Sequence, residues 1–116
     1  MAKPQQPELL QGTLEMMVLR VLSRGPSHGY AIARDIELAS GQVLNIEEGS
    51  LYPALYRLEE RGDLSSQWRT TELNRRAKFY TITPRGRRRL EEQVALWERL
   101  SGAVHRVLKP EAGGGA

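Results

Sequence analysis

Eight cations crowd residues 63–89: Arg69, Arg75, Arg76, Lys78, Arg85, Arg87, Arg88 and Arg89. Only Asp63 and Glu72 oppose them there, leaving a net charge of +6 in a chain whose total is +3. Guanidinium groups are permanently charged and present paired donors that match the oxygens of phosphate. Such a cluster is the footprint expected for a polyanion, and the bland alternative is a solvated charged face. A second set of candidates lies in EEGSLYPALYRLEERG, residues 47–62, where Ser50, Tyr52, Pro53, Tyr56 and Arg57 recur between leucines. Hydroxyls suit phosphates, arginine suits guanine edges, and ring faces suit thymine methyl groups. Yet this stretch holds four acids (Glu47, Glu48, Glu59, Glu60) against Arg57 and Arg61, a net of −2.

Other chemistry has little to work with. There is no cysteine, which excludes disulfides, thiolate metal sites and thiol nucleophiles. The two histidines, His28 and His105, stand far apart and no carboxylates cluster beside them, so neither a metal site, a cofactor site nor an enzyme is expected. No apolar run approaches the ~18 residues of a membrane span, and MAKPQQPE lacks the apolar segment of a signal peptide. A soluble cytoplasmic protein is expected.

The elements that must position these side chains follow from periodicity. Residues 1–8, with Pro4 and Pro7, read as a flexible arm. Leu14, Met17, Val18, Val21 and Leu22 give one apolar helical face, with Thr13 as its expected N-cap and Glu15 in its first turn. Gly25-Pro26 ends that helix, and Ser27 is expected to cap a second one whose apolar face is Tyr30, Ile32, Ala33 and Ile36. A third helix carries Leu51, Leu55 and Leu58 inward and stops at Gly62. Tight connections are expected between these helices. The period then changes: residues 64–70 and 78–83 read as a β-hairpin with a basic tip. Thr83-Pro84 starts a last helix of about 25 residues, or ~37 Å. Its stripe of Leu90, Val94, Trp97, Leu100, Val104 and Leu108 is too long for the small core to cover, so another chain is expected to bury it. The fold class is therefore mainly α with a small β-hairpin: a winged helix-turn-helix over residues 9–83, a dimerisation helix over 84–109 and a disordered tail over 110–116.

In that geometry the third helix enters the DNA major groove. At about 100° per residue, Gly49, Pro53, Tyr56 and Glu60 point away from the leucine stripe, Ser50 and Arg57 lie on one flank and Tyr52 on the other. Glu47, Glu48 and Glu59 flank the buried side, so the acids largely avoid the reading face. Ser50, Tyr52, Pro53, Tyr56 and Arg57 are the expected base- or phosphate-facing residues, with Tyr52 equally suited to packing. Two helix starts stay open: a cap at Ser50 puts Pro53 in the first turn, and a start near Glu47 puts it inside the helix. His28 and Tyr30 would hold the second helix's N-terminus against a phosphate. Arg75, Arg76 and Lys78 would place the wing on the minor groove or the adjacent backbone. Basic side chains oppose the helix dipole at the start of the last helix, so something else is expected to reward the charge: anionic DNA, or intersubunit salt bridges to acids such as Glu91 or Glu98.

GTLEMMVLRVLSRGPSHGY (12–30), SHGYAIA (27–33), GSLYPALYRLEERGDL (49–64) and KFYTITPRGRRRL (78–90) together resemble the PadR family of bacterial transcriptional regulators, in its shorter form with a single C-terminal helix. The resemblance runs over residues 9–108. It implies a homodimeric repressor on a two-fold operator, controlling detoxification, efflux or phenolic-acid stress genes and, in several members, released by a small molecule. Gly49 joins the DNA-contacting set on this basis. Trp97 matches an aromatic at the dimer interface of drug-binding members, which implies a small aromatic effector. The rival expectation from another class is a protein–protein interaction module whose basic wing docks an acidic partner.

Overall fold

Leucine, valine and isoleucine from three helices meet in one apolar centre, and the polypeptide is wound to bring them there. The computed structural model describes residues 10–109; the expected arm and tail, residues 1–8 and 110–116, lie outside them. Helix α1 (Gln11–Leu22) buries Leu14, Val18, Leu19 and Leu22. It begins before the expected cap Thr13, because the Leu10 carbonyl already accepts from the Leu14 N–H at 3.1 Å. Glu15 therefore lies beyond the first turn, and it is buried.

Strand β1 (Ser27–His28) precedes helix α2 (Gly29–Ala39). The cap of α2 is His28, whose Nδ1 accepts from the Ala31 N–H at 3.4 Å, and not Ser27, which is drawn into the strand. Ile32 and Ile36 form the buried face of α2, whereas Tyr30, expected on that face, points outward with 69% exposure. The connection over 40–47 is longer than a tight turn. It is folded back by Gly41 and Gln42 at φ 66° and 64° and pinned where the Ile46 N–H donates to Glu37 Oε2 at 2.9 Å.

Helix α3 (Glu48–Glu60) takes the earlier of the two possible starts, with Glu47 at its N-cap. Pro53 therefore sits inside the helix, where it cannot bond the Gly49 carbonyl, a defect costing about 3 kcal/mol. Full burial of Leu51, Ala54, Leu55 and Leu58 offsets it, at about 1.5–3 kcal/mol for each large apolar side chain. Gly62, at φ +83°, ends the helix; the Asp63 N–H reaches back to the Leu58 carbonyl and the Gly62 N–H to that of Glu59. This is the left-handed stop that favours glycine.

Strands β2 (Leu64–Thr70) and β3 (Arg76–Ile82) pair antiparallel from Leu64↔Ile82 to Thr70↔Arg76. β3 starts earlier than expected and is the middle strand of the order β1-β3-β2, with Ser27 opposite Tyr80 and His28 opposite Phe79. It ends at Ile82, which frees Thr83 to cap helix α4 (Pro84–Leu108): its Oγ1 accepts from the Gly86 N–H at 3.0 Å and donates to the Gly62 carbonyl at 2.6 Å. Leu90, expected at an interface between chains, is 4% exposed and belongs to the core of its own chain. Val94 is half-buried against the same core; Trp97, Leu100, Val104 and Leu108 are exposed.

Gly86 is where α4 crosses the end of α3. A Cβ at that position would collide with the Asp63 backbone carbonyl oxygen and come within 2.8 Å of Ile82 Cγ1. Backbone cannot yield as a side chain would, so Gly86→Ala is expected to lower unfolding free energy by about 1–3 kcal/mol in urea titrations, despite alanine's better helix propensity.

Candidate nucleic-acid interface

The outer face of α3 carries Gly49, Ser50, Tyr52, Pro53, Tyr56 and Glu60, all exposed, as the helical spacing predicts. The Tyr56 hydroxyl donates to Glu60 Oε2 at 3.1 Å. That hydrogen bond and the carboxylate's charge raise the tyrosine's pKa above its ordinary value, so Tyr56 offers outward a fixed ring rather than a free donor. Tyr52 is partly exposed and partly packed: its hydroxyl lies against α2, only 2.7 Å from where a Cβ on Gly29 would stand.

Arg57, expected to face base or phosphate, has a partner inside its own chain. Its Nε donates to Glu15 Oε2 at 2.8 Å, and Arg61 Nη1 donates to Glu15 Oε1 at 2.8 Å. Arg57 sits on the flank of the leucine stripe, within reach of the buried carboxylate of α1. Burial pushes the Glu15 pKa up, but hydrogen bonds from Arg61 and Arg57, with their charges, outweigh it and hold the group below its ordinary 4.5. Glu15 and Arg61 were not among the expected site residues. The signal was present: Glu15 shares its helical face with Val18, Leu19 and Leu22, and an acid on an apolar stripe demands a partner.

The wing is layered by cation–aromatic neighbours along and across its strands. The Arg76 guanidinium lies 5.5 Å from the Trp68 ring centre and Lys78 Nζ lies 5.7 Å from that of Tyr80. On the other face Arg69 covers Phe79 at 5.3 Å, and His28 meets the same ring edge-on at 5.2 Å. These contacts fix cations that would otherwise be floppy, at about 0.5–1 kcal/mol each. Lys78 also pairs with Glu59 at 3.4 Å, so part of its charge is spent within the chain. Arg75 stands exposed in the turn with no ion pair among the described residues.

Tyr30, Tyr52, Trp68, Arg76, Lys78 and His28 together line one groove of about 480 Å³ between the start of α2, the outer face of α3 and the wing. Five of these six were expected; Trp68, read only as a strand former, was missed because exposure within a hairpin is invisible before its register is known. The start of α4 contributes less than its charge promised. Arg89 Nε lies 2.7 Å from buried Asp63 and Arg85 Nε 3.8 Å, contacts that are ionic rather than aligned hydrogen bonds. Arg87 donates to the Ser23 carbonyl at 3.4 Å, so within one chain the basic turn is met by Asp63 and a backbone carbonyl. Far from the wing, Leu10, Met16, Gln93, Leu96, Trp97 and Leu100 line an apolar cavity of about 260 Å³ between α1 and α4.

Residues 18–92 match the profile of the transcriptional regulator PadR-like family, a span that takes in α2, α3, the wing and the first turns of α4. The chain belongs to the PadR-like family. It is similar to a transcriptional regulator from Clostridium thermocellum, at 29% identity and TM-score 0.78 over 85% of this chain and 96% of that one. It is similar also to a PadR family transcriptional regulator from Eggerthella lenta, at 36% identity and TM-score 0.72 over 87% and 86%. An uncharacterized 37.1 kDa protein in transposon Tn4556 of Streptomyces fradiae is 41% identical over 97 residues; this chain is matched over 84% of its length and spans 26% of that relative. PadR-family proteins are DNA-binding regulators of transcription rather than enzymes, and the winged helix seen here is their fold. Among the described residues no helix is long and apolar enough to cross a membrane, and no acidic, histidine or cysteine group is placed to hold a metal ion.

The Glu15 cluster generates a stability prediction with a definite sign. Because its folded pKa is depressed, Glu15 stabilises the fold fully above its ordinary value of 4.5, and that contribution is lost as pH falls through the lower folded value. Glu15→Gln is expected to cost about 2–3 kcal/mol at pH 7, below the ~3–5 of a fully buried pair because both arginines are partly solvated. Urea titrations at pH 7 and pH 3.5 check it: the gap between wild type and variant must shrink at the lower pH.

Proposed function

We propose that this PadR-like protein is a homodimeric repressor that binds a two-fold DNA operator near the promoters of detoxification or efflux-type genes. In this reading residues 9–83 bind DNA and residues 84–109 pair the two chains. The observation that carries it is the single groove on which α2, α3 and the cation-bearing wing converge. Gly49, Ser50, Tyr52, Pro53 and Tyr56 of α3 enter the major groove; their hydroxyls and ring faces fit phosphates and thymine methyl groups better than a charge clamp would. The cations come from Arg69, Arg75 and Arg76, with His28 and Tyr30 placing the start of α2 beside the backbone. Pairing is supported by the exposed stripe of Leu96, Trp97, Leu100, Val104, Val107 and Leu108, more contiguous apolar surface than a lone soluble chain usually leaves in water.

Relief of repression by a small aromatic molecule fits the apolar cavity beside Trp97. Trp97 emission should quench on titration with planar aromatic compounds in a Trp68→Phe background, and emission that stays unchanged there would remove this cavity from consideration.

Footprinting of the DNA upstream of the protein's own gene is expected to show two protected half-sites about one helical turn, ~34 Å, apart. Sedimentation should give the mass of two chains. Replacing Arg75 and Arg76 together by alanine should weaken binding to every sequence and flatten the salt dependence by one to two counterions per wing, roughly 0.9 in log–log slope for each contact. An unaltered slope would take both residues out of the interface.

A further inference from the structure

One side chain of the wing is out of place for the solvent it faces. Leu73 is 79% exposed at the corner of the turn between β2 and β3, a position where polar residues or glycine usually serve. The turn gives it no way to fold back. The Asn74 N–H donates to the Thr71 carbonyl at 2.9 Å and the Thr71 N–H to the Arg75 carbonyl at 2.7 Å; the Arg75 N–H adds a longer contact to Thr71 Oγ1 at 3.3 Å. Asn74 takes a left-handed φ of 60°, which closes the loop one residue past Leu73. The apolar side chain is thus held outward on a braced corner, with the exposed cations Arg75 and Arg76 immediately behind it.

We propose that Leu73 is a wedge that enters the DNA minor groove and partly unstacks one base step, so that the wing selects its site by the deformability of the DNA. The inference rests on the DNA-binding reading above and adds to it a residue that makes no hydrogen bond and carries no charge. Apolar side chains flanked by arginines are the chemistry that pries base pairs apart from the minor groove and bends the duplex. The arginines straddle the groove on its two phosphate walls while the leucine fills the floor between them. Glu72 is the one acid of this corner. In the minor groove its carboxylate finds a donor only in the 2-amino group of guanine, which favours a CA/TG step over TA among the flexible pyrimidine–purine steps.

The experiment uses the intact protein and an operator fragment selected by it from a random-sequence library. Bending is read by circular-permutation gel shift, and local unstacking by 2-aminopurine placed at the step beneath the wing. Wild type and Leu73→Met should bend the fragment by tens of degrees and brighten the probe; Leu73→Ala should bind about three- to tenfold more weakly, without bend or brightening. Arg75→Ala should weaken binding while keeping the bend. Exchanging the step for a stiff AA/TT should cost wild type about tenfold in affinity and Leu73→Ala almost nothing. Equal bending by wild type and Leu73→Ala overturns the wedge and leaves DNA binding standing. A change in self-association with unchanged bending likewise overturns it, by giving Leu73 to a protein contact. No specific binding by the wild-type protein defeats both readings. Because Leu73 touches no core residue, loss of folding does not confuse these outcomes; circular dichroism of each variant verifies it.

Discussion

A carboxylate with 2% exposure sets the orientation of α3. Removing Glu15 from water costs several kcal/mol, a cost that only well-placed cations can repay. Arg57 and Arg61 stand one helical turn apart on α3 and take one oxygen each at 2.8 Å. Two anchors on a single face forbid rotation of α3 about its own axis, something leucine packing alone resists weakly because apolar contact is not directional. With that rotation fixed, Ser50, Pro53 and Tyr56 have only one direction in which to point. Tyr52 is fixed in turn against Gly29, and the groove between α2, α3 and the wing acquires a definite shape. The acidity of α3 becomes intelligible in the same terms. Its arginines are occupied inward, its Glu59 is spent on Lys78 and Ser66 in the wing, and Glu60 holds a tyrosine.

What could be read in the sequence was whatever repeats or punctuates. The stripe of Leu51, Leu55 and Leu58 shows the buried face of α3, and Thr83-Pro84 marks the start of α4 to the residue, because a capping hydroxyl followed by a fixed φ admits few alternatives. The alternating residues of the hairpin declare strands, but not their register, so the stacking of Arg76 on Trp68 was invisible. β1 is two residues long, shorter than any period, and it took Ser27 away from its expected role as a cap. Arg57 shows the deeper limit. A flanking position on a helix is compatible with solvent or with a buried partner, and the partner lies 42 residues away in sequence. Leu90 failed for a similar reason: a stripe on a long helix does not say where one neighbour ends and the next begins.

The positive charge is likewise divided by structure rather than by composition. Of the four arginines opening α4, Arg85 and Arg89 face Asp63 and Arg87 meets a backbone carbonyl, leaving Arg88 exposed without a partner among the described residues. The wing keeps more of its charge free, and aromatic rings brace it. A surface built in this way is divided: α3 presents hydroxyls and ring faces, and the hairpin presents positive charge.

Asp63 has a mechanical meaning as well. It follows the stop of α3 directly and is clasped by the first turns of α4, while its carbonyl accepts from the Thr83 N–H at 3.0 Å. The two helices thus share a common fulcrum. For a rod of ~37 Å, a tilt of about 5° at the fulcrum moves the far end by about 3 Å. Read in reverse, a load applied near Val104 reaches the end of α3 with its force multiplied and its travel reduced. The direction of α4 and the pitch of α3 are therefore coupled coordinates of one lever, and neither can drift without the other.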